Sequence, residues 1–222
     1  GQVLYRKLDQ ATGSPVADTD SASDWAQDPD DVINGRKLRY PGWDLEDLFL
    51  PLEIDRTVAY QLAVAPDAML AVVSATVALA QESILIEGYT MGSPPLYDVL
   101  AERAEDGVII KALLESSPAG GMSYEERWVA QQLDALPNAV VYFMGGSTAR
   151  YRYQHAKFIV VDDSLALIST DNFGESSMPS DLISNGTYGH RGFVFTTRDQ
   201  DVIAYLKDLF NRDCDTVYHD DI

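Results

Sequence analysis

The sequence predicts an α/β protein: a mixed β-sheet flanked by helices on both faces. From residue 58 onward, strand-like apolar runs alternate with helical segments, the pattern of a sheet covered on both sides. Two apolar runs, 155–161 and 165–168, are separated only by a turn and read as a hairpin within that sheet. With 222 residues and an apolar fraction of 46%, the chain can bury a large core.

Residues 1–56 read as an acidic N-terminal extension and 57–222 as the main domain. Between Asp9 and Asn34 there is no basic residue, and Asp, Ser, Ala and Pro recur around Trp25. This composition suits an irregular acidic arm, a wrap anchored by Tyr40, Trp43, Leu48 and Phe49, or the tail of a preceding domain. Residues 58–64 then form a strand. Pro66-Asp67 opens a helix to about residue 81 that is apolar almost all round, so deep burial is expected. A strand at 83–89 is followed by a helix at 95–105, which Asp106-Gly107 ends. Residues 108–114 are a strand, and the glycine-containing polar stretch 115–123 is a loop at one mouth of the sheet. The helix at 125–136 puts Val129, Leu133 and Leu136 on one face, with Pro137 as its stop. Strands follow at 139–144, 155–161 and 165–168. After a loop containing Pro179 and Asn185-Gly186, a strand at 192–196 leads into a closing helix at 199–212. That helix carries Val202, Ile203, Leu206, Leu209 and Phe210 on one stripe.

The hairpin carries the chemistry. His155-Ala156-Lys157 is followed by four apolar residues and Asp162, and then by Ser169-Thr170-Asp171-Asn172. Side chains alternate along a strand, so His155 and Lys157 share a face, and the second run delivers Thr170 and Asn172 to the same end. A nucleophile and a cation side by side suit phosphate ester chemistry. Asp162 has the opposite parity and stands at the turn, which marks it as a structural carboxylate. The bland alternative is a half-buried strand histidine beside a surface lysine.

This pattern resembles the HxK(x)4D signature of the phospholipase D superfamily, with Ser169-Thr170-Asp171-Asn172 where the family usually has Gly-Ser-x-Asn. The order of elements is similar to one half of that fold. The resemblance implies a metal-independent phosphodiesterase that needs no cofactor and acts through a phosphohistidine at His155 on a phospholipid or nucleic acid phosphodiester. It further implies that Lys157 and Asn172 stabilise the transition state, with Thr170 and Ser169 at the substrate. Arg191, Arg150 and Arg152 are candidates for phosphate steering because they lie near the motif in an acidic chain. Tyr151 and Tyr153 either line the cleft or pack at a sheet edge.

The family uses two such motifs per site. A partner motif would come from a homodimer or from a missing half of a longer protein. Many relatives also carry a glutamate before the next core strand, where this chain reads Gly189-His190-Arg191-Gly192-Phe193. The carboxylate that orients His155 is therefore left open among Glu87, Asp171 and Glu175. Two further readings stand beside hydrolysis: a phosphatidyltransferase, and a non-catalytic or half-site module of a two-motif protein.

Net charge is −19, from 35 acidic and 16 basic residues, of which five are lysine. This disfavours passive attraction to nucleic acid or an anionic membrane, and it suits life in high salt, as in a halophilic archaeon. The single cysteine, Cys214, lies between Asp213 and Asp215, which disfavour a thiolate; it can form no intrachain disulfide. The longest apolar stretch, 68–80, is too short to span a bilayer. A soluble protein is expected, cytoplasmic or exported. The chain begins without methionine, consistent with an excised piece of a longer protein. No residues stand at metal-site spacing; His219-Asp220-Asp221 reads as a solvated acidic end.

Overall fold

The computed structural model describes residues 5–6, 12, 14–20, 24–26, 32–33, 36–37, 49–146, 151–180, 189–216 and 222. They fall into two units, Gly1–Glu53 with Arg150–Arg152, and Ile54–Ala149 with Tyr153–Ile222. In the first, β1 (Tyr5–Arg6) pairs antiparallel with β2 (Trp25–Ala26), and β3 (Val32–Ile33) with β4 (Arg36–Lys37). The buried Asp24 accepts hydrogen bonds from the amide (2.7 Å) and hydroxyl (2.8 Å) of Thr19. The extension thus contains short paired segments. Of its proposed anchors, Tyr40, Trp43 and Leu48 lie outside the described residues.

The second unit is built on β5 (Tyr60–Ala65), β6 (Ser83–Gly88), β8 (Ile109–Glu115), β9 (Ala139–Met144), β10 (Phe158–Val161), β11 (Leu165–Ser169) and β13 (Gly192–Thr197). They form one seven-stranded sheet in the order β5-β13-β11-β10-β6-β8-β9. The pairs β6/β8 and β8/β9 are parallel and the remaining pairs antiparallel, so the sheet is mixed.

Alternation along the strands sorts their residues between two helical layers. Ile84, Ile86, Ile110, Ala112, Ile159, Val161, Leu167 and Val194 pack with α1 (Met69–Ala78), α2 (Pro94–Glu105) and α3 (Tyr124–Asp134) in the main core. Residues of opposite parity, such as Leu85, Phe158, Val160 and Ala166, face α4 (Gln200–Asp213), which packs on β6, β10 and β11 through Ile203, Leu206 and Phe210. Burial on both sides explains the nearly continuous apolar runs of β6 and β10.

The helices end where local chemistry stops them. Ser93 caps α2 by accepting from the Leu96 amide (3.4 Å), and Gly107, at φ 95°, follows its end. Ser123 and Glu126 form a reciprocal capping box on α3. Asp199 caps α4 by accepting from the Asp201 (3.0 Å) and Val202 (3.3 Å) amides.

Several sequence expectations need correction. The first helix begins at Met69 rather than at proline, because β5 runs to Ala65 and residues 66–68 form a turn. It is not buried all round. Met69, Val73, Thr76 and Val77 face the core, whereas Ala71, Ala75 and Ala78 are exposed. Its apolar outer face consists of alanine, which favours the helix without needing burial. A small parallel pairing of β7 (Met91–Gly92) with β12 (Phe173–Gly174) was not anticipated; neither segment is long enough to show a period. Asn185 and Gly186 lie outside the described residues.

Candidate active site

The β10–β11 hairpin has two ends with different chemistry. Register runs from Val161↔Leu165 to Phe158↔Ile168. At the closed end the Ser164 amide donates to the Val161 carbonyl (2.9 Å), across Asp162 and Asp163 at φ 49° and 51°. These positive angles make a primed turn, whose twist matches the strands. The Asp162 carboxylate accepts from the amides of Gln81 (2.7 Å), Glu82 (2.8 Å) and Ser83 (2.8 Å). It thereby pins the entry into β6.

The open end carries His155, Lys157, Ser169 and Thr170, which with Phe158 and Leu206 line a shallow cleft of about 410 Å³. Residues 153–157 are not strand, although β10 was expected to begin at His155. Side chains replace the ladder there. The Gln154 amide donates to Glu115 (2.7 Å), and its side chain donates to Glu87 (2.5 Å); all three residues are buried. The next backbone bond is from the Ser169 amide to the Lys157 carbonyl (2.9 Å).

Lys157 is buried and His155 is exposed. The Lys157 Nζ lies 2.8 Å from the His155 carbonyl and 2.9 and 3.1 Å from its Nδ1 and Nε2. Among the described residues, Lys157 is the ring's hydrogen-bond partner. Tyr89, just after β6, packs against the imidazole with ring centroids 4.6 Å apart, and lies 5.5 Å from the ammonium. Its hydroxyl accepts from the Ala119 amide, and Tyr153 meets it edge-on at 5.9 Å. Desolvation, and then the Lys157 charge, hold the His155 pKa below its ordinary value. Burial pushes Lys157 down to about 8, opposed by the negative charge of Asp171. Near pH 7 the pair is a neutral imidazole beside an ammonium.

Thr170 extends the β11/β13 pairing: its amide donates to the Phe193 carbonyl (3.0 Å) and its Oγ1 accepts from the Phe193 amide (2.9 Å). The hydroxyl proton remains available to a ligand. The Ser169 hydroxyl, by contrast, donates to the Asp171 carbonyl (2.8 Å) and accepts from its amide (3.0 Å). Asn172 does not line the cleft. It is half-buried with its Oδ1 enclosed and lacking a hydrogen-bond partner, just before Phe173, whose amide bonds Thr90 (3.2 Å).

The other candidates are dispersed. Arg191 donates to Asp67 (2.5 Å), Glu87 is bonded to Gln154, and Glu175 is exposed. Arg150 and His219-Asp220-Asp221 lie outside the described residues, while Tyr151 and Arg152 belong to the first unit. Among the described residues, no group of three or more His, Cys, Asp or Glu is placed to hold a metal ion. Sequence reasoning missed Tyr89, Gln154 and Glu115. Their positions at strand ends were legible, but not their convergence.

Residues 73–214, which include the whole hairpin, match the family described as cardiolipin synthase, PLD-like domain. The chain belongs to this phospholipase D-like family. Solved structures agree on the fold. NucT from Helicobacter pylori superposes with a TM-score of 0.58 at 16% identity, covering 70% of this chain and 95% of that one. A phospholipase D family member, Nuc from Salmonella typhimurium, gives 0.55 at 15% identity, covering 70% and 93%. A comparison with curated proteins finds no match. Among the described residues of this phospholipase D-like chain, no helix is long and apolar enough to cross a membrane.

Proposed function

We propose that the chain is a metal-independent phosphodiesterase of the phospholipase D type with His155 as nucleophile. The observation that carries this reading is the neutral, exposed imidazole held against a buried ammonium in an open cleft. A ring nitrogen of His155 attacks phosphorus, forming a P–N bond as the bond to the leaving oxygen breaks. Water then breaks the P–N bond and restores the histidine; an alcohol in its place would make the reaction a phosphatidyl transfer.

Lys157 touches both ring nitrogens in the free protein, so attack requires it to turn onto the incoming phosphate. There its charge, with the Thr170 hydroxyl, stabilises the non-bridging oxygens. Family members act on phosphodiesters and often pair two motif halves. A second motif, from another copy or another segment of a longer protein, is accordingly proposed to protonate the leaving group. The net charge of −19 disfavours passive attraction to a nucleic acid and to an anionic membrane alike.

A non-catalytic half-site module has one observation in its favour, the absence of a carboxylate hydrogen bond to His155 among the described residues. Turnover of bis(p-nitrophenyl) phosphate by the full chain and by His155→Ala separates the two. A rate that disappears in the variant is expected. Equal rates would remove the phosphodiesterase reading.

A further inference from the structure

The segment that carries His155 is drawn across the end of the sheet. If β10 continued in register past Phe158↔Glu87, residues 154–157 would pair with the residues that follow β6. Instead the Gln154 amide donates to Glu115 Oε2 (2.7 Å) at the end of β8, a strand that does not neighbour β10 in the sheet. The Gln154 side chain donates through Nε2 to Glu87 Oε1 (2.5 Å), near the end of β6, the strand between them. One residue thus bridges the ends of two adjacent parallel strands. The residue after it, His155, stands out of the ladder, exposed, with its ring against Tyr89 at 4.6 Å.

Glu87, Glu115 and Gln154 are all buried. A buried carboxylate is costly unless donors meet it, and here they come from the segments around the cleft. Gln154 serves both carboxylates, and the Ser117 amide bonds Glu115 Oε1 (2.8 Å). Glu115 therefore also ties down the loop after β8, whose Ala119 amide donates to the Tyr89 hydroxyl. The same anchors hold the backbone before His155 and the aromatic ring on which its imidazole rests. The imidazole itself is hydrogen-bonded by Lys157, so the carboxylates act on it through Gln154. We infer that Gln154, held between Glu87 and Glu115, is a positioning residue of the site that sets the place of the His155 imidazole against Tyr89. The catalytic weight of that place rests on the phosphodiesterase reading; the placement itself does not.

The place of the ring is read from the His155 imidazole resonances in ¹H–¹³C NMR of the full chain, where three histidines make assignment against His155→Ala direct. The Tyr89 ring displaces these resonances from their values in the urea-unfolded chain. Gln154→Met keeps the length and flexibility of the side chain without its hydrogen bond. In the folded variant the resonances should move most of the way back toward the unfolded values. Turnover of bis(p-nitrophenyl) phosphate should lose about tenfold to 10²-fold in kcat, with KM within about threefold, as misplacement of a reacting group does. Glu87→Met should repeat both effects. Glu87→Gln keeps an acceptor for Gln154 Nε2 and should recover the resonances and most of the activity lost in Glu87→Met. A bridge with a structural role alone would lower the melting temperature and leave the folded-state resonances and kcat per folded molecule in place. That result, or Glu87→Gln behaving as Glu87→Met does, would overturn the inference, and the two Glu87 variants decide it alone if Gln154→Met does not fold. Equal phosphodiester turnover by wild type and His155→Ala would sink the functional reading alone and leave the resonance shifts standing.

Discussion

The two ends of the β10–β11 hairpin carry residues of one motif and do opposite things. At the closed end Asp162 gathers three backbone amides and is fully engaged. At the open end His155 is exposed and Lys157 is buried with its pKa pushed down. Satisfied polar groups stabilise a fold, and groups held ready but incompletely used mark where a ligand belongs. The difference teaches that motif membership alone does not separate scaffold from chemistry. Hydrogen-bond satisfaction does.

Mutations at each end can break this contrast. His155→Ala should have the largest effect, a loss of about 10³-fold or more in turnover of an activated phosphodiester, because no other group replaces a nucleophile. Its melting temperature should stay near wild type, since the ring is exposed. Lys157→Met should lower kcat by about 10²-fold to 10³-fold by removing charge stabilisation of the phosphoryl oxygens. At the closed end the effect should reverse. Asp162→Ala should cost about 3 kcal/mol in urea unfolding by freeing three amides, with kcat per folded molecule within about twofold of wild type.

The pH profile sharpens the same comparison. Activity requires neutral His155 and charged Lys157. With His155 held below its ordinary value and Lys157 near 8, kcat/KM should rise through an acid limb below 6.5, then fall through a basic limb near 8. A profile still rising above pH 9 would contradict the role of the ammonium. The smallest effect is expected for Thr170→Ser, within about threefold of wild type, because the hydroxyl that accepts from Phe193 is kept.

The mixed sheet, its covering helices and the hairpin were legible because each strand and helix is long enough to show its period. The closed end was legible too: parity and two consecutive aspartates at a turn distinguish Asp162 from its neighbours. The open end was legible only as a pairing of residue types. A period-2 reading continued β10 through His155, whereas Gln154, bonded to Glu87 and Glu115, draws that backbone out of the ladder. Sequence left three acidic residues, Glu87, Asp171 and Glu175, open for an orienting carboxylate; that Glu87 is taken by Gln154 shows only once β6 and the segment before β10 come together. Arg191 stood close to the motif in sequence, yet Asp67 from the turn before α1 takes its guanidinium.

The most direct measurement is mass spectrometry of the full chain quenched during turnover of bis(p-nitrophenyl) phosphate. The expected result is an adduct on the peptide containing His155, equal in mass to the substrate less p-nitrophenol, and absent from His155→Ala. An adduct on another residue, or turnover at the wild-type rate by His155→Ala, would contradict the assignment of His155 as nucleophile.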